Sequence, residues 1–162
     1  PPSPPPRYSD AHASLQSSLR KSPDGAPTTH FRAACIKLSV IVQLLMGDIP
    51  PRDAFNDPHA APLLAPYLAL TAAVRSGNVQ TFSSVLAANT STFEADGNLS
   101  LISRLQHTVV KAGLRRLSLS YSRIGLPQVA ARLGVEEAGV AYVVAKAIAD
   151  GVIDGTIDHQ EQ

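Results

Sequence analysis

Tryptophan is absent, and cysteine and methionine occur once each. With Cys35 alone, no internal disulfide and no cysteine-based zinc site can form, and an intracellular, reducing compartment is the natural expectation. Charge is scarce, at 17% of residues with a formal net charge of +1. That balance excludes both the strongly basic footprint of a nucleic-acid module and the excess charge of a disordered chain. No uninterrupted apolar run reaches the roughly 18 residues of a membrane span. The longest candidate, Ala60–Val74, is broken by Pro62 and Pro66. The Pro-rich start, Pro1–Pro6, has no apolar signal core and reads as a disordered edge. Gly-x-Ser-x-Gly, Gly-x-x-x-x-Gly-Lys and Gly-x-Gly-x-x-Gly are all missing, so no catalytic constellation and no cofactor site is expected. Asn89-Thr-Ser91 and Asn98-Leu-Ser100 match glycosylation sequons by chance.

What remains is 162 residues with 44% hydrophobic content, enough for one large or two small packed units. The most ordered stretch runs from Leu117 to Ile157. Leu126, Val129, Ala130 and Leu133 follow i, i+3, i+4, i+7 spacing, after Gly125 as N-cap and before Gly134 as terminator. Pro127 fits a first helical turn, where the N–H groups lack partners. A longer helix follows, with Val140, Val143, Val144, Ala147 and Ile148 on one face. Glu136 and Glu137 suit its positive N-terminus, and Gly151 stops it. Tyr121–Ile124 and Val152–Ile157 read as strands, the second by its period of two. Strand, helix, turn, helix, strand is the order of a winged helix. The chain stops where the wing would turn back, so a wing lacking its second strand is expected.

Six helical elements, five helices and one single turn, are expected ahead of it, with no β signal. Arg7–Lys21 carries Tyr8, Ala11, Leu15 and Leu19 at helical spacing. Thr29–Met46 is apolar on two sides: Phe31, Ala34, Cys35, Leu38, Ile41, Val42 and Leu45 on one, Ile36, Val40 and Leu44 on another. Such a helix belongs between stacked neighbours. Arg52–Pro62 reads as a loop with one helical turn. Leu63–Ser76 and Val79–Ala88, joined by Arg75-Ser-Gly-Asn78, form an αα-hairpin. Phe93–Asn98 reads as a loop, and Leu99–Tyr121 as the longest helix. The expected fold class is mainly α: a solenoid of antiparallel helix pairs over residues 7–100, then a winged-helix part over 101–162.

Each candidate for chemistry has a plain alternative. Arg104, His107, Lys111 and Arg115 form a basic stripe that could take phosphate or an acidic partner, or simply face solvent. The outward face of the second winged-part helix is Ala138, Tyr142, Ala145, Lys146 and Ala149. One cation cannot neutralise phosphates or read base edges well, and two glutamates sit where phosphates would approach. A small, Ala-rich face with one tyrosine suits packing against protein. His12, His30, His59, His107 and His159 show no ligand spacing, so no metal is expected. Cys35 reads as a small core residue. The edge of the expected sheet would offer unpaired N–H and C=O groups to a neighbour.

Several runs then carry a family resemblance: Leu63-Leu-Ala-Pro-Tyr-Leu-Ala-Leu-Thr-Ala-Ala-Val-Arg-Ser-Gly-Asn78, Phe93-Glu-Ala-Asp-Gly97, Leu117-Ser-Leu-Ser-Tyr-Ser-Arg-Ile124 and Val144-Ala-Lys-Ala-Ile-Ala-Asp-Gly-Val-Ile153. Together they closely resemble the PCI domain of the third non-ATPase subunits of the 26S proteasome regulatory lid, over roughly Tyr8 to His159. The link Gly134-Val135 is shorter than is usual there, and Gly125 stands where a polar cap is usual. The resemblance implies a non-catalytic scaffold that assembles with other PCI subunits, in cytoplasm and nucleus, and supports ubiquitin-dependent degradation. It implies an intersubunit sheet region at Tyr121, Ser122, Arg123, Ile124, Val152, Ile153, Thr156 and Ile157, to which the outward helix face adds Tyr142 and Lys146 as expected contacts. A PCI subunit of the signalosome or of a translation initiation factor, and a winged-helix nucleic-acid binder, are the competing readings.

Overall fold

The structure is a computed structural model and describes residues 7–23 and 26–156. Nine α-helices are formed among these residues, with no strand. They are α1 (Arg7–Lys21), α2 (Thr29–Leu45), α3 (Ala61–Ser76), α4 (Val79–Ala88), α5 (Thr90–Ala95), α6 (Leu99–Ser103), α7 (Leu105–Ser120), α8 (Leu126–Leu133) and α9 (Glu137–Ala149). The loop before α3 holds one 3-10 turn, Arg52–Phe55.

The two apolar sides of α2 have the expected consequence except near its start, where Phe31, 54% exposed, and Ala34 face solvent. It packs against α1, α3 and α7, and nine of its residues, Lys37 and Ser39 included, are buried. Arg32 ties this helix to its surroundings. Its NH1 donates to the carbonyls of Leu19 and Ser22 at 3.0 and 3.1 Å, where α1 ends, and its Nε meets Asp57 Oδ2 at 2.9 Å. The Leu19 carbonyl also accepts the Ser22 N–H at 3.3 Å, so Arg32 adds to the capping of the α1 end. In α3, Pro62 occupies the first turn and Gly77 ends the helix in the left-handed region at φ +69°. Asn78 caps α4, its Oδ1 accepting the Thr81 N–H at 2.9 Å.

Two hydrophobic cores result. The first is built on Ile41, Leu44, Leu64, Tyr67, Leu70, Phe82, Phe93 and Ile102. The second joins Leu114, Leu117, Val129, Ala130, Leu133, Val140 and Ala147. Helix α7 serves both, Leu105 and Val109 in the first and Leu114 and Leu117 in the second, while Val110 packs against each.

Three local expectations are corrected. Phe93 is not in a loop: it lies in α5, fully buried. The long helix is two, because the chain tightens at Arg104, whose N–H bonds the Leu101 carbonyl at 3.2 Å in a three-residue turn. The strands at Tyr121–Ile124 and Val152–Ile157 are not formed over the described residues, which are bends, turns and irregular chain. Gly151 at φ +74° turns the chain just before the second segment, and two strands with no third to pair with are marginal on their own. Ile157 and His159, like Pro1–Pro6, lie outside the described residues.

Candidate protein-interaction site

The nine described residues among those expected to take part in interaction fall on two surfaces, Ile157 lying outside the described residues. The first is a groove of about 900 Å³ beside the second core. Leu114, Leu117, Val129, Val144 and Ile148 line its apolar side, and Tyr121–Ile124 and Ile153–Thr156 also border it. Tyr121, Ser122, Arg123, Ile124, Ile153 and Thr156 therefore come together here. Val152 packs on the second core beside Ile153 and Ile124. The Tyr121 hydroxyl accepts from Arg132 NH2 at 3.2 Å, which links the groove's rim to α8.

Tyr142 and Lys146 form the second surface. They sit one helical turn apart, on the side of α9 away from Val144 and Ile148. Ala138, Ala145 and Ala149 are exposed beside them, and Tyr142 is 71% exposed. Only Val140 and Ala147 of this helix are buried. Glu136 stands at the N-cap position without a side-chain capping bond, and Glu137 opens the first turn, so both acids sit at the N-terminus as expected.

Sequence reasoning missed Leu119, which is 90% exposed at the end of α7. The signal was available: with Leu114 and Leu117 inward, position 119 turns some 200° away from Leu117. Earlier on α7, the basic stripe is solvent-facing at Arg104, His107, Lys111 and Arg115. Arg104 NH1 reaches the Tyr8 hydroxyl at 3.4 Å.

A polar cluster at the edge of the first core was also missed. Asp96 Oδ2 accepts from Lys37 Nζ at 2.9 Å and from the Tyr67 hydroxyl at 2.8 Å, while Asn98 Nδ2 donates to that hydroxyl at 3.0 Å. Lys37 also stands over the Tyr67 ring, 5.4 Å from its centroid, and Phe93 meets that ring edge-on at 5.1 Å. Burial pushes the Tyr67 phenol above its usual range; Asp96 adds to this and Asn98 opposes it. The tyrosine is thus a fixed hydrogen donor, locked in structure and far from any proton-transfer range. Burial likewise raises the Cys35 thiol, against the opposing charge of Arg32, which favours the unreactive protonated form.

A second groove, of about 780 Å³, lies between α1, α2 and the loop before α3. His12, His59, Asp53 and Asp57 line it, yet among the described residues no three His, Cys, Asp or Glu side chains converge to hold a metal ion. Among the described residues no helix is long and apolar enough to cross a membrane.

The described residues thus form a helical array with an appended helix-turn-helix unit and exposed apolar surface. The family described as "PCI domain" matches residues 86–162, and "PSMD3-like, N-terminal TPR repeats" matches residues 6–71. The chain is a PCI-domain protein carrying repeats of that type. It is 46% identical to "Probable 26S proteasome regulatory subunit rpn3" of Schizosaccharomyces pombe, over 94% of this chain and 31% of that protein. Identity is 44% to "26S proteasome non-ATPase regulatory subunit 3 homolog A" of Arabidopsis thaliana, over 94% of this chain and 32% of the relative. The chain thus spans about a third of the length of the curated relatives it matches.

Proposed function

We propose that this chain is part of a non-catalytic scaffold subunit of the proteasome regulatory particle lid. In this reading it divides near residue 100 into a repeat part and a winged-helix part. The winged-helix part meets other PCI subunits through the outer face of α9 and through the groove bordered by Tyr121–Ile124 and Ile153–Thr156. The assembly works in cytoplasm and nucleus, in ubiquitin-dependent degradation. The observation that carries the reading is the outer face of α9. A buried-type composition of alanines around one tyrosine is left open to solvent, as at a surface that another protein covers. Tyrosine is also a frequent anchor of protein interfaces. The acidic start of the helix and its single cation disfavour nucleic acid, whose affinity rests on phosphate neutralisation.

The test is affinity capture of lid subunits from cell extract by the chain and by its Tyr142→Ala variant. Loss of an interface anchor of about 2 kcal/mol weakens retention roughly 30-fold. Thermal unfolding of the variant stays within about 0.5 kcal/mol of the parent, because the side chain is exposed. Equal retention by both chains removes α9 from the interface; no lid subunit retained by either overturns the scaffold reading.

A further inference from the structure

The two cores meet at the four-residue link Arg75–Asn78, where Gly77 has a steric and Asn78 a hydrogen-bonding reason. Gly77 lies with its backbone against that of Gly113 in α7: a Cβ on Gly77 would stand 2.5 Å from the Gly113 Cα. A Cβ on Gly113 would be driven into the Gly77 carbonyl and the Leu133 side chain. Further along α7, Arg116 reaches across the turn. Its NH2 donates to the Arg75 carbonyl at 2.6 Å and its NH1 to the Ser76 carbonyl at 3.2 Å. These are carbonyls at the end of α3, which have no partner within their helix.

Asn78 completes the connection by using both ends of its amide. Its Oδ1 accepts from the Thr81 N–H, and its Nδ2 donates to the Arg132 carbonyl of α8 at 3.1 Å. Turning the amide over would set donor against donor and acceptor against acceptor, so the backbone groups fix its orientation. Beneath it passes Gly134 at φ +68°, where any Cβ would collide with the Asn78 amide. A turn belonging to the first core is thereby bonded to two helices of the second, across 40 to 54 residues of sequence.

We propose that this turn is a locked joint that sets the angle between the two cores, with Asn78 and Arg116 as its positioning residues. An apolar seam can slide over small distances at little cost. Glycine backbones in contact and hydrogen bonds aimed at particular carbonyls cannot. The direction in which α9 and the groove face is then fixed relative to the helical array, before any partner arrives. The joint is a property of the chain alone and stands or falls apart from the scaffold reading.

The decisive measurement is the distance distribution between nitroxides placed at Ser84→Cys in α4 and Asp150→Cys after α9, in the full 162-residue chain with Cys35→Ser. The parent gives one narrow distribution. Asn78→Asp keeps an oxygen to cap α4 but loses the donor to Arg132. Arg116→Ala loses both carbonyl contacts and leaves the cap intact. Each is expected to broaden the distribution at least twofold while helix content stays unchanged. Should Asn78→Asp unfold, the exposed Arg116→Ala carries the test. An unaltered distribution in Arg116→Ala means that α7 alone sets the angle, and overturns the joint.

Discussion

The two cores teach different things about one chain. The first gathers eighteen buried residues from helices that cover one another, and even its polar groups are satisfied internally by the Lys37–Asp96–Tyr67–Asn98 cluster. The second gathers seven, and around it stand Leu119, Tyr121 and Tyr142, three of the large hydrophobic side chains that remain exposed. Burial on this scale makes the first the source of stability. Phe31, Ile49 and Leu68 are exposed around the first, so the second leaves as many large apolar side chains open beside far less burial. In the assembly role proposed above, a neighbour would supply the missing burial.

The sharpest way to break this contrast is to empty each core in turn. Phe93→Ala removes a fully buried ring and the edge-on partner of Tyr67, and should cost about 3–5 kcal/mol. Leu133→Ala, also fully buried, should cost about 2–5 kcal/mol. Amide exchange separates them. Leu133→Ala should strip protection from α8 and α9 while α2 and α3 keep theirs, whereas Phe93→Ala should weaken both regions through α7. Equal loss everywhere in both variants would mean a single cooperative unit.

A smaller effect tests whether the polar cluster belongs to the first core's strength. Asp96→Ala leaves the Lys37 ammonium, 11% exposed, without its carboxylate, and should cost about 3 kcal/mol in urea unfolding. Adding Lys37→Met should recover most of that loss, since the unpaired charge is then gone. If the double variant is no better than Asp96→Ala, the pair is not coupled.

The smallest effect concerns acid. The Arg32 guanidinium bonded to Asp57 holds that carboxyl below the ordinary 3.8, against a burial contribution of opposite sign. A lowered folded value means the bond stabilises fully above the unfolded value and is lost as pH falls through the folded one. Asp57→Asn should therefore cost about 1 kcal/mol at pH 7, with the difference from the parent closing below pH 3.8. A constant difference down to pH 2 would assign the effect to packing.

Helix ends were the most legible feature, because they are written in single residues. Asn78, Gly77 and Gly134 each occupy the position their chemistry predicts. The short helix Thr90–Ala95 was not legible: six residues with one buried side chain, Phe93, carry no period. Alternation in Val152–Ile157 says which side each residue would face, but a ladder needs a partner that no local pattern encodes. The expected interaction residues divide in space: Tyr142 and Lys146 lie on the outer face of α9, and the others described lie beside the groove and the second core. The polar cluster escaped notice because Lys37 and Asp96 lie 59 residues apart.

Helix α2 carries a consequence for synthesis. It is apolar nearly all round, and part of its cover comes from α7, whose first-core residues Leu105 and Val109 are made some sixty positions after α2 ends. At translation rates of about 5–20 residues per second, that leaves this helix without its full cover for roughly 3–13 s on the ribosome. The nascent chain in that window is an exposed apolar helix awaiting its lid, a substrate for chaperones. Any delay between codons 45 and 109 would lengthen its exposure without altering a single contact of the finished fold.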